Sequence, residues 1–309
     1  MKIGFAGCSG HFRECLKVKH DSVEYAGYWV APEEDETRLV STFKSLRLCP
    51  RRCGSFDELL NLGIDTVVID GIFNMHAPLT IIALRKNINV ICEKPAAITL
   101  EQLNNVKKAA KNSKARLFGM FTQRYQDCFF TVKKLLEQNA VGEIRLINAQ
   151  KSYKMGTRPA FYSRRETFGG LIPWVGIHMI DLIVWYLGKK VKNINAFHSR
   201  KRNGANGEME VSAAVNMLLD DEVIGIVNID YLRPESSATH GDDRIRVAGA
   251  SGIIEVINER VFLNGTEQPL ERSPSMLESF LAGDCNDGIY AAQVALTAQN
   301  SADKYLSEV

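Results

Sequence analysis

Glu93-Lys94-Pro95 closes the apolar run 88–92. A strand that ends on a charged pair and is stopped by proline carries its lysine to the carboxyl edge of a sheet, where open α/β sheets bind ligands. Partly shielded from water there, an amine can have its pKa lowered and take part in proton transfer. A second segment, 169–181, supplies His178, with Pro173 suited to the first position of a helix and Gly188 to its end. The α-helical repeat puts Trp174, His178, Asp181 and Trp185 on one stripe and Ile177, Ile180, Val184 and Leu187 on another, the core face. A histidine with a carboxylate one turn on can be oriented and made more basic, then accept a proton from a hydroxyl as hydride leaves the carbon. Alone, the segment reads better as a helix-surface histidine paired with Asp181; the lysine elsewhere in the chain favours the chemical reading.

The turn after the first strand, Gly7-Cys8-Ser9-Gly10-His11-Phe12, lies where a dinucleotide fold carries G-x-G-x-x-G. Only Gly7 fits. Ser9 replaces the glycine that lets pyrophosphate approach the backbone, and Phe12 the one that lets helix and strand pack closely. An acidic ribose ligand is expected at the end of the second strand, yet that stretch reads Tyr28-Trp29-Val30-Ala31-Pro32, with Glu33 and Glu34 late. The cofactor, NAD or NADP, is therefore left open. Cofactor candidates are the six turn residues, Trp29, Phe73, Asn74 and His76 on the loop after the 65–70 strand, and Glu93 with Lys94. His76 reads equally as a helix-capping residue.

These groups need a scaffold, and the first third of the chain provides one. Strands over 2–6, 23–30, 65–70, 88–92 and 116–120 alternate with helices over 10–18, 56–62, 78–86 and one opened at Thr99, with Gln102 completing a capping box. Such alternation predicts a Rossmann-type parallel sheet over 1–120. From 121 to 309 long strand-like runs dominate, with Asp220-Asp221 and 249–251 as hairpin turns. The second domain is accordingly α/β with a large, mostly antiparallel open sheet, and a last helix over 288–305 that docks back.

Composition narrows the class. The 309 residues, 45% hydrophobic and 24% charged with a net charge of +2, are ordinary for a globular protein. They give no reason to expect nucleic acid or an anionic membrane as partner. The apolar stretch 170–188 contains Pro173, His178 and Asp181 and reads as a buried helix rather than a membrane span. Seven scattered cysteines imply reduced thiols and a cytoplasmic setting, and Cys49 and Cys53 lack the further ligands of a metal site.

Taken together, Glu93-Lys94-Pro95, Arg124-Tyr125, Gly169-Gly170 with Gly176-Ile177-His178 and Asp181, and the turn 249–252 resemble the Gfo/Idh/MocA family over essentially the whole chain. The resemblance implies an NAD(P)-dependent oxidoreductase acting on a hydroxyl of a sugar, cyclitol or related polyol, with Lys94 and His178 catalytic. It also implies an open sheet that joins subunits into a dimer or tetramer. Arg124, Tyr153 and Trp174, with Lys94 and His178, are the substrate candidates; Arg158 and Tyr162 lie on the approach to Gly169. Many members carry an aspartate where this chain has Trp174, so a Lys-Asp-His relay does not follow. The alternatives are a non-catalytic cofactor- or sugar-binding sensor, and redox-assisted elimination with the cofactor recycled.

Overall fold

The computed structural model describes residues 1–17, 20–284 and 286–306. Val18 and Cys285 lie outside them. The chain forms two units, Met1–Thr122 with Pro274–Ala292, and Gln123–Ser273 with Gln293–Val309. Residues 274–292, which the sequence placed in the second domain, thus group with the first.

The first unit is built on a six-stranded sheet of order β3-β2-β1-β4-β5-β6. The strands are β1 Lys2–Ala6, β2 Glu24–Trp29, β3 Arg51–Arg52, β4 Thr66–Ile69, β5 Asn89–Glu93 and β6 Leu117–Met120. Every pairing is parallel. The order reverses between β1 and β4, the place where such sheets leave a crevice at their carboxyl ends. All four residues of β4 are buried, as a central parallel strand requires. Helix Leu100–Lys111 starts as its sequence predicts: Thr99 accepts the Gln102 N–H. Gln102 Oε1 reaches one residue further back than in the usual box, to the Ile98 N–H. The edge strand β6 is covered by the returning segment, since Gly119 N–H donates to Asn286 O at 2.8 Å and the Arg116 guanidinium lies 4.4 Å from the Phe280 ring centroid.

Three elements of this unit depart from expectation: helix Thr37–Ser45 was not expected, and helix Phe73–Arg85 starts before 78, so Phe73, Asn74 and His76 lie on it and not on a loop. In place of a helix over 10–18 there is a single 3-10 turn, Phe12–Cys15. Phe12 and Cys15 are fully buried, so the turn tucks into the core instead of running along the sheet.

The second unit carries an eight-stranded sheet, β14-β13-β12-β11-β7-β10-β9-β8. Its strands are β7 Ile144–Lys154, β8 Val191–Ser199, β9 Ser212–Leu219, β10 Ile224–Arg233, β11 Gly241–Gly249, β12 Ile253–Ile257, β13 Arg260–Leu263 and β14 Thr266–Gln268. Neighbours are antiparallel except β7 and β10, which run together. Both expected hairpins form, β9 to β10 and β11 to β12. Alternate residues Val227, Ile229 and Tyr231 of β10 are buried, and helix Ile177–Leu187 packs on β7 and β10. Leu218, Ile224 and Leu232 alternate with buried neighbours and stay exposed.

The stretch 165–187 is 94% buried at its most apolar window, consistent with a core helix. It is not one regular helix. A turn at Arg165–Phe168 ends on Gly169 and Gly170, with φ of 82° and 124°. A π turn, Ile172–Gly176, follows, and only then the α-helix Ile177–Leu187. A wider π turn inserts a residue and re-aims the side chains on either side of it. Trp174 lies within the π turn and His178 just after it, so the single stripe expected from a uniform α repeat does not hold.

Candidate active site

In the first unit the loops after β1, β4 and β5 converge. Gly7 adopts φ 86° and donates its N–H to Trp29 O at 2.8 Å. A Cβ here would collide with the Gly71 backbone, so only glycine fits. Ser9 N–H donates to Asp70 O at 2.6 Å, and Phe12 N–H to Asp70 Oδ2 at 2.8 Å. A Cβ on Gly10 would press on the Asp70 and Glu93 side chains. Gly10 therefore does the close-approach work that the motif assigns to other positions. Trp29 ends β2 with its ring 5.8 Å from Phe56.

Two fully buried carboxyls lie below this turn. Burial pushes Glu93 upward, but His11 Nδ1 at 2.8 Å and Lys94 Nζ at 3.5 Å from Oε1 outweigh it and hold the group below the usual glutamate value. Burial and then the Glu93 charge raise Asp70 well above the aspartate range; the Phe12 N–H and the Arg38 charge work downward but are outweighed. The two carboxyls are thus shifted in opposite directions, Glu93 down and Asp70 up. Burial pushes the neighbouring Cys8 thiol up to about 12, and its Sγ donates to Asp35 O at 3.3 Å.

Glu34 is one of the two acidic residues that come late in the sequence for a ribose ligand. Its Oε1 accepts the Ser9 hydroxyl at 2.6 Å, and its Oε2 would lie 3.1 Å from a Cβ on Gly71. The chain folds back after Pro32 and returns the carboxylate to the β1–β4 crevice. Burial raises its pKa against the Ser9 hydrogen bond.

Lys94 follows β5 and is 2% exposed. Its peptide bond to Pro95 is cis. Pro95 O lies 2.8 Å from His76 Nδ1, and Gly71 O lies 2.8 Å from His76 Nε2. His76 is buried in helix Phe73–Arg85, with its ring centroid 5.7 Å from that of Phe73. It ties the turn after β4 to the Glu93-Lys94-Pro95 segment. Burial lowers its pKa, and the Pro95 carbonyl works against that. Asp70 Oδ1, Glu93 Oε2 and Asn74 Oδ1 are buried acceptors that meet no donor among the described residues. Acceptors at the carboxyl edge of a doubly wound sheet suit ribose hydroxyls, so the residues fit a dinucleotide.

The second unit places the other candidates. Both Asp181 oxygens are taken by Arg124, through Nε at 2.7 Å and Nη2 at 2.6 Å. Arginine thus faces the Asp181 carboxylate that the sequence set beside His178, and this ties the substrate candidate Arg124 to the helix. His178 is 2% exposed and Trp174 8%. Gly176 sits against Ile229 of β10. Two residues on is Tyr231, whose ring is 6.4 Å from Tyr153. Tyr153 also stacks on His240 at 5.1 Å. Tyr162 meets Trp174 edge-on at 6.1 Å. Burial drives the Tyr231 phenol upward, with Arg158 and Trp174 partly opposing it. Lys151, fully buried, pairs with Asp243.

The Gly169–Gly170 turn is held by a separate polar cluster. Arg165 pairs with Glu210 and, at 3.1 Å, with Asp303. Asp303 also receives His198 Nε2 at 2.7 Å. Leu171 N–H donates to Glu210 Oε2 at 3.1 Å, and Ile172 N–H to Gln299 Oε1 at 3.3 Å. His198, Glu210 and Asp303 have the spacing of metal ligands, but the Arg165 guanidinium supplies the cation among them. Asp70 and Tyr231 join the candidates only in the structure, and Glu34 moves from a late position in sequence to the turn. For Asp70 the available signal was a carboxylate ending a buried strand.

Comparison with known proteins agrees with this geometry. Residues 2–121 match the family model described as an oxidoreductase family with an NAD-binding Rossmann fold. Residues 129–255 match the GFO/IDH/MocA C-terminal domain. The chain belongs to the Gfo/Idh/MocA family of NAD-binding oxidoreductases. A solved structure from Thermotoga maritima, described as a candidate oxidoreductase, is 40% identical with a TM-score of 0.96, covering 99% of this chain and 98% of that one. The trans-1,2-dihydrobenzene-1,2-diol dehydrogenase of Xenopus laevis is 25% identical over 54% of this chain and 51% of its own. The inositol 2-dehydrogenase of Rhizobium meliloti is 27% identical over 64% of this chain and 58% of its own. The chain thus spans little more than half the length of these curated relatives.

Proposed function

We propose that the chain is an NAD-dependent dehydrogenase or reductase acting on a CH–OH carbon of a sugar, cyclitol or related small polyol. The observation that carries this reading is Lys94, buried beside the Glu93 carboxylate at the carboxyl edge of β5 in a chain of this family. The names of the diol and inositol dehydrogenases among its relatives support the substrate class. Bound NAD would supply the hydride-accepting ring. Glu34 and Glu93 would accept ribose hydroxyls, and Gly7 and Gly10 would admit the backbone approach. Lys94 polarises the substrate oxygen, and His178 holds or releases its proton. Glu34 selects NAD, since a 2′-phosphate would meet its carboxylate. Trp174 offers an apolar face to a sugar ring. The exposed Leu218, Ile224 and Leu232 support pairing of two copies through the open sheet. The scattered thiols support a cytoplasmic setting.

One observation favours the non-catalytic alternative. Asp70 takes the Phe12 N–H, a donor that a pyrophosphate would compete for. Titration with NADH and separately with NADPH, read by energy transfer from tryptophan and by calorimetry, decides. Saturable NADH binding followed by turnover of a polyol supports the dehydrogenase. Absence of binding by both methods overturns it in favour of a sugar-binding sensor. Product formed without net change in nicotinamide absorbance would indicate redox-assisted elimination.

A further inference from the structure

Arg158 is a half-buried cation of the second unit, stacked on aromatic rings. Among the described residues no carboxylate comes within ion-pair distance of it. Its guanidinium lies over the Tyr231 ring at 4.3 Å and the Tyr162 ring at 5.7 Å. One N–H bond is made, from Nη2 to Lys154 O at 3.0 Å. Nε is buried and meets no acceptor. Stacking uses the face of a guanidinium; its N–H groups lie in the plane and stay free to bind. The tyrosines therefore hold the fork rigid while its Nε side faces unmet demand.

The surroundings add to the positive field. Lys154 Nζ donates to two carbonyls, Glu235 O and Ser237 O. Glu235 Oε1 accepts from the Gly156 N–H at 3.3 Å. Lys151 is matched by Asp243. His240, stacked on Tyr153, is held below its usual pKa by burial, then by Arg158 and Lys154, and brings no compensating negative charge. Tyr162 meets Trp174, four residues before His178 in the chain.

We propose that Arg158 receives a carboxylate of the substrate, which makes that substrate a hydroxy acid of the sugar-acid kind. This rests on the dehydrogenase reading and narrows it. A planar carboxylate matches the in-plane edge of a guanidinium through paired hydrogen bonds. The tyrosine and tryptophan rings cover the carbon skeleton. A neutral polyol hydroxyl accepts a single N–H and leaves the guanidinium charge unmatched.

The test is calorimetric titration of the purified full chain with matched compounds: D-glucose against D-glucuronate, glycerol against glycerate, and D-glucose 6-phosphate. At least one acid should bind about tenfold or more tightly than its neutral partner, as a charge-assisted pair requires. In Arg158→Gln that ratio should fall to near one. Arg158→Lys, which keeps the charge without the fork and retains a cation over the tyrosines, should lose most of the preference and serves if the glutamine variant does not fold. No acid preference in the wild type, or a preference that survives both substitutions, overturns the proposal. Preference for the phosphate ester over the acid overturns the carboxylate. The NADH titration is independent: turnover of neutral polyols without acid preference sinks this inference and leaves the dehydrogenase standing.

Discussion

Arg124 and Asp181 form a two-pronged buried ion pair, 57 residues apart in sequence, with the carboxylate 1% and the guanidinium 14% exposed. It anchors the helix that carries His178 to the segment just after Thr122. Removing one partner leaves the other charged and desolvated. Asp181→Ala should therefore cost about 3–5 kcal/mol of stability, read as a fall in Cm at constant m. A change below about 1 kcal/mol would mean the pair is solvated.

Gly7→Ala meets both a positive φ and the Gly71 backbone. Thermal stability should drop by at least about 1–2 kcal/mol, and NADH affinity should fall further, because the turn must shift. Unaltered NADH affinity in a folded variant would show that the cofactor does not approach this turn.

Glu34 has a folded-state pKa raised above 4.5, chiefly by burial. Such a carboxyl binds its proton more tightly in the folded chain, so ionisation penalises folding increasingly as pH rises from 4.5 through the folded value. Glu34→Gln should raise Tm at pH 7.5, and the difference should vanish below about pH 4. It should also narrow the preference for NADH over NADPH. A variant that is less stable at pH 7.5 would contradict the assigned direction.

His178→Ala should lower kcat by about 100-fold or more, the usual scale for loss of a positioned acid–base group, with NADH affinity nearly unchanged. Unchanged turnover would remove His178 from the mechanism.

Glu210 is fully buried and holds Arg165 and the Leu171 N–H. Glu210→Ala should destabilise the chain by about 3–5 kcal/mol. Hydrogen exchange should accelerate at 169–172. Protection there equal to the wild type would show that the turn is held by its glycines alone.

Much of the architecture was legible because it is local. Alternation of apolar runs, the Thr99–Gln102 start and the 220–221 hairpin depend on neighbours a few residues apart. Residues 274–292 were misplaced because their attachment to β6 depends on Gly119, Arg116 and Phe118, more than 150 positions away. The short turn at Phe12–Cys15 was missed because a helical pattern over 10–18 does not reveal that Phe12 is drawn into the core and its N–H taken by Asp70.

By itself the sequence determined the fold class and the family, and offered Lys94 and His178 as candidate proton-handling groups, since strand and helix periods and short motifs are written in consecutive residues. Tertiary structure alone decided what each charged group faces: Glu34 returned to Ser9, Arg124 spent on Asp181, Glu93 set between His11 and Lys94, and Arg158 stacked on Tyr231. Electrostatic roles depend on distance and burial, and neither is carried by the order of residues along a chain.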